Sequence, residues 1–97
     1  PSYSRRFEQG LGMLWPYHKK LLFRAWHRGT READLLMGRF AEAHMALWSE
    51  EEASLFGALL EESDPDIYDW VTARTPLPDS NLRPLLEKMI EFYRVAA

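Results

Sequence analysis

The sequence predicts an all-α fold: a compact five-helix bundle in a single domain. Apolar residues recur at helical spacing in five separate stretches, and nowhere do they alternate as in a half-buried strand. Helix start and stop signals bracket those stretches. A chain of 97 residues fits one domain with one core, whose radius of gyration is about 13 Å when compact.

The first helix is expected over 17–28, with Leu22, Ala25, Trp26 and Gly29 at helical spacing and Lys19, Lys20 and Arg24 interleaved. Gly29 suits a positive φ at the position just past the helix end. A second helix over about 30–47 has Thr30 as its N-cap and an inner line of Leu36, Phe40, Ala43 and Leu47. Ser49-Glu50-Glu51-Glu52 spells a capping box for a third helix, 50 to about 61, which buries Leu55, Phe56, Leu59 and Leu60. Asp64 as N-cap and Pro65 at the first helical position open a fourth, with Ile67, Trp70 and Val71 inward. Thr75-Pro76-Leu77-Pro78 stops it. The fifth begins near Ser80 or Asn81, keeps Pro84 in its first turn, and carries Leu82, Leu85, Leu86, Met89, Ile90 and Tyr93 on one stripe. Residues 1–16 fit none of this and read as a tail preceding a helical domain over 17–97.

Composition excludes several function classes. Without cysteine there is no disulfide, thiolate metal site or Cys chemistry, and a reducing compartment is permitted. No apolar run is long enough to span a membrane, and residues 1–12 lack the apolar centre of a secretory signal. His18, His27 and His44 lack zinc-ligand spacing, Gly10-Leu11-Gly12 follows no strand, and the acids of 50–52 and 61–69 lack calcium-loop spacing. No catalytic constellation emerges, and no metal or cofactor site is expected.

Charge is polarised along the chain. Residues 1–40 hold eight Lys or Arg against three acids, whereas 41–73 hold nine acids and no Lys or Arg. With a net charge of −3, this pattern argues against nucleic acid and for a protein partner of complementary charge. Four Trp, four Tyr and five Phe exceed what so small a core hides easily, which also points to a partner surface.

The stretch Arg28-Gly29-Thr30-Arg31-Glu32 concentrates these features. As pure architecture it is a corner between two helices, with Glu32 in a first turn and within reach of Arg28. As a working surface, Gly29 lets another backbone approach closely, while Arg28 and Arg31 crowd like charge that stability does not require. Asp64-Pro65-Asp66 with Tyr68-Asp69-Trp70 admits the same two readings, a capped helix or a contact segment.

"LLFRAWHRGTREADLLMGRFA", then "LLEESDPDIYDWV", then "TPLP", resembles the succinate dehydrogenase assembly factor family, the flavinators. Their RGxxE signature is matched by Arg28, Gly29 and Glu32, and their acidic DPD landmark by Asp64-Pro65-Asp66. The likeness covers about residues 17–94; Pro1 to Pro16 lies outside it. It implies a five-helix bundle without enzymatic turnover. Such a chaperone binds the flavoprotein subunit of succinate dehydrogenase, and often of fumarate reductase, and promotes covalent attachment of FAD to a client histidine. FAD would then be held by the client rather than by this chain. The residues expected to meet the partner are Arg24, His27, Arg28, Gly29, Arg31, Glu32, Asp64, Asp66, Tyr68 and Asp69. A free monomer in the bacterial cytoplasm is expected, with the mitochondrial matrix as the alternative. The competing functional reading is a small helical regulator of an unrelated partner.

Overall fold

The computed structural model describes residues 16–96. Among these residues there are five α-helices, α1 (Pro16–Trp26), α2 (Arg31–His44), α3 (Glu50–Leu60), α4 (Asp64–Val71) and α5 (Arg83–Ala96), and one 3-10 turn, Met45–Leu47, after α2. No strand occurs among the described residues, and the radius of gyration is 13.2 Å. The expected tail, and Gly10-Leu11-Gly12 within it, lies outside the described residues except for Pro16, the first residue of α1.

Helix boundaries follow local chemistry. The Thr30 hydroxyl accepts from the Ala33 amide at 3.2 Å and starts α2. At α3 the capping box is complete. The Ser49 hydroxyl accepts from the Glu52 amide at 3.2 Å, and the Ser49 amide donates to the Glu52 carboxylate at 3.3 Å. That donation holds the Glu52 carboxyl below the ordinary carboxylate range.

Three boundaries differ from expectation. Helix α4 is capped by Ser63, whose hydroxyl accepts from the Asp66 amide at 3.3 Å; Asp64 and Pro65 therefore move one place inward. Helix α5 starts at Arg83, because Ser80 folds a turn ahead of it, accepting from the Leu82 amide at 3.2 Å. Helix α1 ends at Trp26, and the positive φ of Gly29, 119°, comes three residues later. The left-handed Ala73, φ 62°, closes α4, with the Arg74 amide donating to the Asp69 carbonyl at 2.8 Å.

The core takes the expected faces of α1, α3, α4 and α5. In α2 the buried residues are Ala33, Met37, Phe40 and Ala41, followed by Met45. Ala43 and Leu47, expected inside, are exposed, Leu47 at 85%. The helix tightens to a 3-10 turn at Met45, and three residues per turn rotate Leu47 to solvent. Phe40 is the hub of the aromatic cluster, with ring centroids 5.8 Å from Trp48, 6.4 Å from Phe56 and 5.7 Å from Phe92. Where α1 meets α2, the Trp26 indole lies flat over Gly38, so close that a β-carbon there would overlap the ring. That close approach packs the end of α1 against the middle of α2 and holds the two helices together below the corner.

In the first half of α2 the Leu35 carbonyl accepts from the Tyr93 hydroxyl at 3.3 Å, as does the Leu36 carbonyl, which locks α5 onto α2. Burial pushes the Tyr93 phenol up to about 12 from 10.0. Because the folded value lies above the unfolded one, the contribution to stability is complete below pH 10.0 and is lost as pH rises through about 12. Wild-type stability should therefore fall across that window. Tyr93→Phe should flatten the loss, as read by chemical denaturation at stepped alkaline pH; an unchanged slope would contradict it.

Candidate functional site

The corner between α1 and α2 is organised by one side chain that turns inward. Arg28 donates from Nε to Asp64 Oδ1 at 2.7 Å, from Nη1 to the Leu60 carbonyl at 2.5 Å and from Nη2 to the Glu62 carbonyl at 2.7 Å. Its side chain is 12% exposed and that of Asp64 28%. The Leu60 carbonyl belongs to the last turn of α3, where a helix leaves carbonyls without internal partners and presents its negative end. A planar fork of N–H groups suits this site, since it can satisfy two carbonyls and a carboxylate together. Arg28 thereby ties the α1–α2 corner to the α3–α4 turn.

Asp34 holds the same corner from the other side. Its Oδ1 accepts from the Arg28 amide at 2.5 Å and from the Gly29 amide at 3.2 Å. Sequence reasoning did not pick out Asp34. The available signal was a carboxylate in the first turn of α2, near enough to reach back to the corner's amides.

The expected Arg28–Glu32 pair does not form, because Asp64 and the two carbonyls occupy every arm of the guanidinium. Glu32 is exposed and makes no hydrogen bond or ion pair among the described residues; Arg31 is likewise exposed and unpaired among them. The like-charge crowding read from the sequence is thus relieved: one arginine is turned in and the other out. Gly29 is exposed, and a β-carbon built on it would meet nothing within 4 Å. The approach above it is open, and only backbone conformation demands glycine there.

Beside this corner α2 and α4 enclose a groove of about 470 Å³. Ala33, Leu36 and Met37 face Pro65, Ile67 and Tyr68 across it, with Thr30, Glu32, Asp64 and Asp69 also lining it. The structure therefore brings together Glu32, Asp64, Tyr68 and Asp69 of the expected residues, with Arg28 behind Asp64. It leaves others apart. Arg24 pairs with Glu61 at 2.8 Å on the outer side of α1, a solvent-exposed bridge of little energetic weight. His27 stacks on Phe23 at 4.0 Å and its Nδ1 lies 2.7 Å from the Phe23 carbonyl. Asp66 is exposed and lines no part of the groove. Leu36, Met37 and Ile67 were read from sequence only as parts of helices, because a groove between helices 30 residues apart has no local signature.

No cluster of His, Asp or Glu able to hold a metal ion occurs among the described residues. None of their helices is long and apolar enough to cross a membrane.

These contacts separate the two halves of the corner. Arg28→Ala removes a partly buried pair and strands two carbonyls, so it should cost about 2 kcal/mol or more, roughly 10 °C in melting temperature for a chain of this size. Glu32→Ala removes no contact and should stay within about 0.5 kcal/mol of wild type. Thermal melts of the two variants check this, and equal melting temperatures would contradict the inward role of Arg28.

Comparisons with known proteins identify the family. Residues 19–93 match the family model described as flavinator of succinate dehydrogenase. The chain is 42% identical over 77 residues to the FAD assembly factor SdhE of Acetobacter pasteurianus, covering 79% of this chain and 71% of that protein. It is 37% identical over 75 residues to the mitochondrial succinate dehydrogenase assembly factor 2 of Debaryomyces hansenii, covering 74% and 53%. With the protein of that name from Dictyostelium discoideum it shares 36% identity over 61 residues, covering 63% and 43%. The chain thus spans most of the bacterial relative and about half of the two mitochondrial ones. The helical bundle and the match over nearly all of its described length make this chain a member of the succinate dehydrogenase flavinator family.

Proposed function

We propose that this chain binds the flavoprotein subunit of succinate dehydrogenase and promotes covalent attachment of FAD to it, acting as an assembly chaperone without turnover of its own. Membership of the flavinator family supports the client, and the names FAD assembly factor and succinate dehydrogenase assembly factor borne by its relatives support the role. The flavoprotein of fumarate reductase is a second client of the same chemistry. The chain works as a free monomer before it meets the client, and the bacterial relative favours a bacterial cytoplasm.

The observation that carries the reading is Glu32, a carboxylate with no partner among the described residues, at the edge of an apolar groove and near a glycine open to approach. A residue without a structural task in the free protein is available for one in the complex. Gly29 and Glu32 meet the client, Arg31 adds an exposed donor next to them, and Arg28 holds the corner in shape from behind.

FAD itself is a poor fit for this chain. No Lys or Arg among the described residues lines the groove, and its carboxylates would repel a pyrophosphate. The Arg28 donors are already bound to Asp64, Leu60 and Glu62 and are not free for an anion. The flavin is accordingly held by the client, whose own residues form the covalent bond. What this chain supplies is a fixed surface that favours the client arrangement in which attachment proceeds.

The test mixes the chain with the apo-flavoprotein subunit and FAD, then reads protein-bound flavin fluorescence after denaturing electrophoresis. Glu32→Ala should melt like wild type yet lose most flavin attachment at limiting client. Gly29→Arg should lose attachment as well as stability, about 1–3 kcal/mol, because φ 119° strains any side-chain-bearing residue. Equal labelling by wild type and Glu32→Ala would refute the assignment.

A further inference from the structure

The groove between α2 and α4 has a composition that selects its occupant. Met37 and Ile67 form an apolar floor, Leu36 and Tyr68 its partly open sides. At about 470 Å³ it lies within the span of roughly 300–1,000 Å³ usual for binding clefts. Three carboxylates, Glu32, Asp64 and Asp69, line it without any basic residue among its walls. Asp64 has Oδ1 bound to Arg28, whereas the Glu32 and Asp69 side chains make no hydrogen bond or ion pair among the described residues. The Arg74 guanidinium carbon lies 6.0 Å from the Tyr68 ring centroid, outside the groove lining.

Two unpaired carboxylates line one apolar cleft, and no cation among the described residues pairs with them. An apolar occupant alone would bury part of that charge at a cost. An occupant that brings a cation would remove the cost and gain charge-assisted hydrogen bonds. We infer that this groove docks a segment of the flavoprotein client that inserts an apolar side chain and sets a flanking lysine or arginine against Glu32 and Asp69. The inference rests on the client reading above and specifies the chemistry of the client surface. It extends the contact from the Gly29–Glu32 corner along α4 to Tyr68 and Asp69, continuous with the face already assigned.

The experiment measures binding of the full chain to the apo-flavoprotein subunit. Asp69→Lys should weaken it roughly tenfold or more at about 50 mM salt, with the difference shrinking at about 500 mM as the charges are screened. Asp79→Lys, an exposed charge reversal away from the groove, should bind within about twofold of wild type. A second measurement needs no client: side-chain methyl signals of Met37 and Ile67 are followed while phenethylammonium or phenylpropionate is added. The ammonium should shift them and the carboxylate should not.

Client binding by Asp69→Lys equal to wild type, or equal shifts with both small molecules, would overturn the inference. Undiminished flavin attachment by wild type would in that case leave the client reading standing. A wild-type chain that neither binds nor labels the flavoprotein would remove this occupant together with the client, even if the ammonium shifts appeared.

Discussion

The corner at Gly29 depends on the guanidinium of Arg28. An ion pair at this depth gains little over well-packed apolar groups in general, because both charges lose hydration. Here the arginine also satisfies carbonyls that the end of α3 leaves without partners, and its backbone amide is taken by Asp34. Removing it would expose several buried polar groups at once, so its importance lies in what its absence would strand. Through these contacts the α1–α2 corner and the α3–α4 turn, 36 residues apart at Arg28 and Asp64, become one rigid unit.

That unit explains how a small helical protein offers a defined surface. With Arg28 turned inward, the outward face of the corner is left to Gly29, Arg31 and Glu32, and the adjoining groove to side chains of α2 and α4. The strongly paired residue is structural and the unpaired ones are free to bind. Charge polarity along the chain is spent partly in the same way. Arg24 with Glu61 and Arg28 with Asp64 join the basic first part to the acidic middle inside the molecule, so less of the polarity is left for steering a partner.

What could be read from sequence was what is local. The Ser49–Glu52 box and the Thr30 cap involve residues three apart, and both occur as expected. The stripes of α1, α3, α4 and α5 follow 3.6-residue periodicity and turn inward, with Leu55 only half-buried and Gly29 exposed beyond the end of α1. The α2 stripe failed at Leu47 because a 3-10 turn changed the period, and nothing in "HMALW" announces that change; Ala43, still in regular helix, lies off the face that Met37, Phe40 and Ala41 bury. At α4, Ser63 and Asp64 are both good caps. The choice fell to Ser63 in a structure where Asp64 is taken by Arg28, a contact no periodicity reveals. The corner was legible as a motif, but which of its residues face in and which face out required the fold.

The most direct test of this account is the coupling between Arg28 and Asp64. A double-mutant cycle with Arg28→Lys and Asp64→Asn, each variant unfolded in denaturant, isolates their interaction free energy. If the pair organises the corner, the coupling should lie at about 1–3 kcal/mol, well above the spread expected of independent sites. Additive effects, within about 0.3–0.5 kcal/mol, would show that Arg28 and Asp64 act separately and that the corner owes its shape to something else.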